Sequence, residues 1–438
     1  MTAKNIDKSI EDLIEELGED YNILDYAYNA KEFIPGESPV FYSGMYWDNR
    51  EVKAAIESIL IGKWFSAGEK VKEFEAIFAK KIHQLFGVMV NSGSSANLIM
   101  IAALKKYYSW KDGDEIIVSV VGFPTTISVI VQNGLVPVFI DIEMDTLNFD
   151  VSQIEDKITP HTKAIFLSPV LGNPPDIDDL VYLCEKYNLK LILDCCDSLG
   201  TRWKGQLLGE YAVASSHSFY PAHTISTGEG GMITTNIREV ANLAKSFATW
   251  GRACVCSGTE NLLPNGICNH RFDKWLTDYD GIVDHKYVFE NMGYNLKPLD
   301  LQGAIGLVQV DKLNEILNRR RRSQTFITRI FYKHLSYVRS PDTLSHSLTA
   351  WFGTPFICEY KDQKQNLVQY LEKNKVQTRN YFAGNILMHK GYSHLGNYKD
   401  YPKAEEVFDK VFFVGASPHY DEKVFEYINN ILIKVELK

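Results

Sequence analysis

The stretch Gly87-Val-Met-Val-Asn-Ser-Gly-Ser-Ser-Ala-Asn97 carries the first sign of the fold. Gly87–Val90 is a short apolar run that suits a strand. Asn91-Ser-Gly-Ser-Ser-Ala-Asn97 then opens a helical pattern that continues through Leu98, Ile99, Ile101 and Leu104. The same rhythm returns downstream. Glu115–Val120 reads as a strand, Phe123-Pro-Thr-Thr126 leads a helix to Asn133, and Val136–Ile140 is the next strand. Lys163–Leu167, a helix from Ile177 to Lys186, and Lys190–Leu193 form a further unit. Strands alternating with helices at this spacing predict an α/β fold, a largely parallel sheet with helices on both faces. Ligand sites in such sheets lie beyond the carboxyl ends of the strands. Asn91–Ser95, Phe123, Asp194–Cys196 and Ser218–His223 each follow a predicted strand.

At 438 residues the chain exceeds one ordinary core. We expect an N-terminal helical extension over 1–35, a large α/β domain over 36–308 and a small α/β domain over 309–438. Ile6, Ile10, Leu13, Ile14 and Leu17 give the extension its helical spacing. Val52–Leu85 reads as two helices, and a long helix is expected from about Val310. That helix carries Arg319-Arg-Arg-Arg322, read as a solvated or salt-bridged face because consecutive residues splay around the cylinder. A net charge of −9 argues against nucleic-acid binding. No apolar run is long enough to span a bilayer and no signal peptide is evident, so a cytoplasmic protein is expected. Seven cysteines, an odd count in a reducing compartment, point to metal or redox chemistry rather than a disulfide framework.

Several residues suggest chemistry. Gly93 permits close backbone approach, and Ser94 and Ser95 offer hydroxyls at a helix start, which suits a phosphate. An ordinary N-cap has the same composition. Asp194 ends an apolar strand, where a carboxylate needs a partner; a turn or cap aspartate is the plainer reading. His223 lies in Ser218-Phe-Tyr-Pro-Ala-His-Thr-Ile-Ser-Thr-Gly-Glu-Gly-Gly-Met232. Imidazole moves protons near neutral pH.

Taken together, Ser-Gly-Ser-Ser, Gly-Phe-Pro-Thr-Thr, Leu-Asp-Cys-Cys-Asp, Ser-Phe-x-x-x-His, Gly-Glu-Gly-Gly and Gly-Tyr-Asn resemble the DegT/StrS family of nucleotide-sugar enzymes. The resemblance implies the fold-type I architecture of pyridoxal phosphate enzymes, which is aspartate aminotransferase-like. It also implies a homodimer with active sites at the subunit interface. Gly93, Ser94 and Ser218 would hold the cofactor phosphate, joined by Asn295 from the neighbouring subunit. Phe123 would stack on the pyridine ring and Asp194 would pair with the ring nitrogen. His223 stands where the family places the lysine that bonds covalently to the cofactor.

An imidazole cannot form that bond, so the cofactor is expected as pyridoxamine 5'-phosphate, held non-covalently. This substitution resembles the sugar 3-dehydratase branch, in which His223 would take a proton from the cofactor's C4′ carbon as a neighbouring hydroxyl leaves. Within that branch the cysteines resemble the iron–sulfur type. Cys196 is followed after 57 residues by Cys254, then Cys256, and after 11 more by Cys268. The last gap is a few residues longer than in the family pattern. Four thiolates suit a [2Fe–2S] cluster, and zinc accepts the same set. Cys184 and Cys358 are expected in the core, with Cys195 pointing away from Cys196.

The resemblance thus implies C3 deoxygenation of a nucleotide-linked, CDP-bearing 4-keto-6-deoxyhexose, with an NADH-dependent flavin and iron–sulfur reductase as partner. The alternatives are a glutamate-recycling 3-dehydratase without a cluster, an aminotransferase, and a non-catalytic binder.

Overall fold

The computed structural model describes residues 8–13, 16, 32–62, 64–254, 256, 268, 270–273 and 275–436. Seven strands form the central sheet. These are β1 (Phe86–Val90), β2 (Glu115–Ser119), β3 (Val136–Ile140), β4 (Thr162–Leu167), β5 (Lys190–Asp194), β6 (Ala214–Ser218) and β7 (Gly231–Thr235). Their spatial order is β1-β7-β6-β5-β4-β2-β3. β2 to β6 run parallel, and β7 runs antiparallel to both of its neighbours.

The apolar strands β4 and β5 are buried at nearly every position and β2 along its centre, as expected of a sheet covered on both faces. β6 differs: Ser215, Ser216 and His217 are polar and fully buried. It forms because these groups find partners, such as Thr234 Oγ1 at 2.8 Å from Ser215 Oγ. Hydrophobic patterning gives no hint of such a strand.

The longer helices among the described residues are α1 (Asn49–Ile61), α2 (Glu69–Lys81), α3 (Gly93–Tyr107), α4 (Pro124–Gln132), α5 (Ile177–Tyr187), α6 (Arg238–Ala248), α7 (Asp300–His334), α8 (Lys361–Lys373), α9 (Pro402–Lys410) and α10 (Glu422–Glu436). A second, antiparallel sheet has the order β8-β9-β11-β10. Its strands are β8 (Val338–Arg339), β9 (Gly353–Cys358), β10 (Thr378–Asn380) and β11 (Val411–Gly415). Its apolar core joins Ile327 and Phe331 of α7, Leu367 and Leu371 of α8, and Val424 and Ile428 of α10.

α7 departs from expectation in two ways. It begins at Asp300 rather than near Val310 and runs for 35 residues. Gly303 and Gly306 weaken the local helix signal. They are there for contact: a Cβ on Gly303 would sit 2.5 Å from the Val71 nitrogen, and one on Gly306 2.7 Å from the Phe74 ring. α2 therefore packs directly on the α7 backbone. The arginine run splays as predicted, but not wholly into solvent. Arg319 pairs with Glu315 at 2.9 Å and Arg322 with Glu422, whereas Arg320 is 1% exposed.

In the N-terminal extension residues 8–13 are helical and Ile10 is buried. Ile6, Ile14 and Leu17 lie outside the described residues. Among the described residues no helix is long and apolar enough to cross a membrane.

Candidate active site

The carboxyl ends of the central strands open into a cavity of about 340 Å³. Gly93, Ser94, Phe123, Asp194, Cys196, Ser218 and His223 all line it. Of the residues expected from the sequence around a cofactor, all but Asn295 are thus brought together, from four separate strand ends.

The serines after β1 divide the work of cap and wall. Ser92 caps α3, its hydroxyl accepting from the Ser95 amide at 3.1 Å. That leaves the Ser94 side chain facing the cavity beside Thr125, hydroxyl to hydroxyl at 3.3 Å. Gly93 is tightly enclosed: an added Cβ would lie 2.5 Å from Ser218 Cβ and 3.1 Å from Cys196 Sγ. A helix N-terminus with free amides and hydroxyls beside an open volume suits a phosphate.

Asp194 is 3% exposed and its partners are specific. Asn97 Nδ2 donates to Oδ2 at 2.7 Å, Thr126 Oγ1 donates to Oδ2 at 2.8 Å, and the Cys196 amide donates to Oδ1 at 3.2 Å. Asn97 is itself held by the Ser216 hydroxyl. These donors orient the carboxylate and satisfy its oxygens in a buried position. Sequence reading missed Asn97 and Thr126 as Asp194 partners. Their only signal is a polar residue on the apolar face of a helix start.

Phe123 leads α4, is about half exposed, and meets Phe382 edge to face at 5.9 Å. Tyr42, Phe352, Arg379 and Phe382 complete the wall, drawn from residues remote in sequence. Arg379 sits over the Tyr42 ring at 4.3 Å. Asn295 is exposed, does not line this cavity, and bonds to Lys297 Nζ.

His223 follows β6 in a turn whose neighbours are fastened to α7. Gln309 Oε1 accepts from the Ser226 amide at 3.0 Å, and Gln302 donates to the Glu229 carbonyl at 2.5 Å. Gly230, with φ +156, completes the turn; a Cβ there would meet Thr227 Oγ1 at 2.5 Å. Burial, reinforced by the Arg320 charge, lowers the His223 pKa to about 3. The imidazole is therefore neutral at physiological pH and able to accept a proton. Its neighbour Asp197 is pushed up to about 7, chiefly by burial and also by Asp194, against the Leu171 amide and Arg320.

The cysteines separate. Cys195 lies in the apolar core with Cys184, and Cys358 is buried in the second core. Cys196 lines the cavity, and burial beside Asp194 and Asp197 pushes its thiol well up. The Cys256 amide donates to Cys254 Sγ at 3.4 Å, and the Cys268 carbonyl accepts from the Arg271 amide. Among the described residues no group of three or more His, Cys, Asp or Glu is arranged to hold a metal ion. The expected set of Cys196, Cys254, Cys256 and Cys268 is thus not closed in this structure. Residues 255 and 257–267, which connect three of these ligands, lie outside the described residues.

Residues 47–433 match the model of the DegT/DnrJ/EryC1/StrS aminotransferase family. The chain belongs to this family. Relatives narrow the comparison. The chain is 33% identical to the lipopolysaccharide biosynthesis protein RfbH of Salmonella typhimurium, over 98% of this chain and 97% of that protein. It is 35% identical to a dTDP-4-dehydro-2,6-dideoxy-D-glucose 3-dehydratase of Saccharopolyspora spinosa, over 90% of this chain and 86% of that protein. A solved GDP-4-keto-6-deoxymannose-3-dehydratase with a trapped PLP-glutamate geminal diamine superposes with a TM-score of 0.77. It is 30% identical and covers 90% of this chain and all of that one. The architecture of this DegT-family chain is that of the fold-type I, aspartate aminotransferase-like enzymes. The cavity of this family member has the donor set for a B6 cofactor: hydroxyls and amides at a helix start, an aromatic face and a buried carboxylate.

Proposed function

We propose that the protein is a nucleotide-sugar 3-dehydratase that removes the C3 hydroxyl of a nucleotide-linked 4-keto-6-deoxyhexose with pyridoxamine 5'-phosphate. The observation that carries this is a neutral histidine, His223, on the cavity wall with Asp194, where the family's covalent lysine is expected. Relatives named as 3-dehydratases support the same reading. When bound, the cofactor supplies an amine that condenses with the sugar ketone and a ring that accepts electrons.

The chain's own residues do the rest. Gly93, Ser94 and Ser218 bind the cofactor phosphate, and Asn295 completes that site for a second copy in a homodimer. Phe123 covers the ring face. Asp194, oriented by Asn97 and Thr126, holds a proton on the ring nitrogen. His223 takes the proton from C4′ as the C3 oxygen departs. An aminotransferase would need a lysine at position 223.

The finer reading assigns Cys196, Cys254, Cys256 and Cys268 to a [2Fe–2S] cluster served by an NADH-dependent flavin and iron–sulfur reductase, with a CDP-linked substrate. Its support is the cysteine spacing and the position of Cys196 on the cavity wall. The glutamate-recycling alternative is favoured by the solved dehydratase with bound PLP-glutamate.

One experiment separates the readings. Anaerobically purified protein is assayed for acid-labile sulfide and visible absorption, then offered CDP-, GDP- and dTDP-4-keto sugars with either a reductase or glutamate. Absence of the cluster together with glutamate-dependent turnover overturns the iron–sulfur reading. Failure to release the C3 oxygen under either regime overturns dehydration itself.

A further inference from the structure

We infer that Arg320 is a positioning residue for His223, tying the histidine turn to α7 and to the second sheet. This inference rests on the dehydratase reading given above. The Arg320 guanidinium donates to the His223 carbonyl at 2.9 Å and the Ala222 carbonyl at 3.1 Å. It also donates to the Phe352 carbonyl at 2.9 Å and the Ser43 hydroxyl at 3.4 Å. Ser43 donates in turn to the same Ala222 carbonyl at 2.5 Å. One side chain therefore fixes two successive peptide units of the turn and the strand-entry residue Phe352, whose ring lies 5.3 Å from the His223 imidazole.

The cost of this arrangement argues for its use. A guanidinium that is 1% exposed gives up its hydration, and its acceptors are backbone carbonyls and a hydroxyl rather than a carboxylate. Taking a charge out of water without a carboxylate partner is costly. The planar fork also suits the task. It reaches acceptors in several directions at once, which a lysine ammonium on a flexible stem does not reproduce. Three arginines of the same run, Arg319, Arg321 and Arg322, contact Glu315, the Thr349 carbonyl and Glu422 near the surface. Only Arg320 reaches the turn.

The test uses full-length protein loaded with pyridoxamine phosphate. C3 oxygen release and cofactor affinity are measured for Arg320→Gln and Arg320→Lys, each with and without His223→Asn. Misplacing a reacting group by a fraction of an ångström costs on the order of 10- to 100-fold in rate. Arg320→Gln is expected to lose that much in kcat while cofactor affinity and KM stay within about threefold. Arg320→Lys is expected to recover part of the loss. In the His223→Asn background, Arg320→Gln is expected to change the residual rate less than about twofold, because the two residues act as one unit.

Equal fold losses in both backgrounds, or a kcat loss matched by lost cofactor affinity, overturn the inference as ordinary structural damage. If Arg320→Gln does not fold, Arg320→Lys decides, and a wild-type kcat in it overturns the inference alone. Undiminished release in His223→Asn removes the base role and the inference with it. A wild-type protein that releases no C3 oxygen overturns the dehydratase reading as well.

Discussion

His223 Nδ1 lies 3.5 Å from Asp197 Oδ1, a contact that becomes an ion pair only when the imidazole carries a proton. Among the described residues the buried Nδ1 makes no hydrogen bond of good geometry. Burial is the leading influence on both groups, driving the imidazole to its neutral form and raising the carboxyl. The base role proposed for His223 rests on its place on the cavity wall, not on this neutrality, because burial also opposes its protonation. His223→Asn is therefore expected to reduce C3 oxygen release by on the order of 100-fold or more, the usual scale for a lost general base. Pyridoxamine phosphate binding, followed by absorbance, is expected to change little.

Asp194 makes a different prediction because its donors hold its carboxylate in one orientation. Asp194→Asn keeps the size but sets an amide against the Asn97 Nδ2 and Thr126 Oγ1 donors. Turnover is expected to fall by on the order of 100-fold, as when a preorganised charge contact is removed. Cofactor affinity is expected to fall with it. A variant that binds cofactor normally and turns over at the wild-type rate would take Asp194 out of the site.

Gly303 tests the α2–α7 contact against helix propensity. Alanine gains about 1 kcal/mol over glycine in a helix interior. Here the new Cβ meets backbone atoms of Lys70 and Val71 at 2.5–2.7 Å, which cannot rotate away. Overpacking of this kind costs about 1–3 kcal/mol. Gly303→Ala is expected to destabilise by about 1 kcal/mol net in denaturant unfolding, and a stabilised variant would contradict the packing.

His217 sets an acid limit on stability. It is buried between Ser215 and Thr234, and burial lowers its pKa from 6.5 to about 3. Below pH 6.5 the unfolded chain takes the proton and the folded chain does not. Stability is thus lost as pH falls from 6.5 toward 3, by on the order of 5 kcal/mol in all. His217→Gln is expected to flatten that part of the stability–pH curve. An unchanged slope would show that other groups govern acid unfolding.

Much of the site was legible in the residues themselves. Gly93, Ser94 and Asp194 follow strands whose apolar runs mark them, and the parallel fold gathers strand ends on one side; Phe123 and Ser218 were singled out only by the family resemblance, Ser218 because its strand is polar. His223 stood out only through the family resemblance, which places a lysine at its position. Less was legible in α7, because two glycines that serve close packing look like helix breakers. Arg320 was hidden for a related reason: four like residues in a row carry no mark of which one turns inward.

Sequence alone determined the alternation of strands and helices, the chemistry available at each strand end, and the replacement of an amine by an imidazole. The first two follow from local periodicity and side-chain type, the third from the resemblance to the family. Tertiary structure decided what surrounds those groups: Asn97 and Thr126 on Asp194, Arg320 on the His223 turn, and Tyr42, Phe352 and Arg379 on the cavity wall. The physical reason is that periodicity tells which face of an element is buried. The partner across that face comes from chain tens to hundreds of residues away, and it sets burial, orientation and protonation.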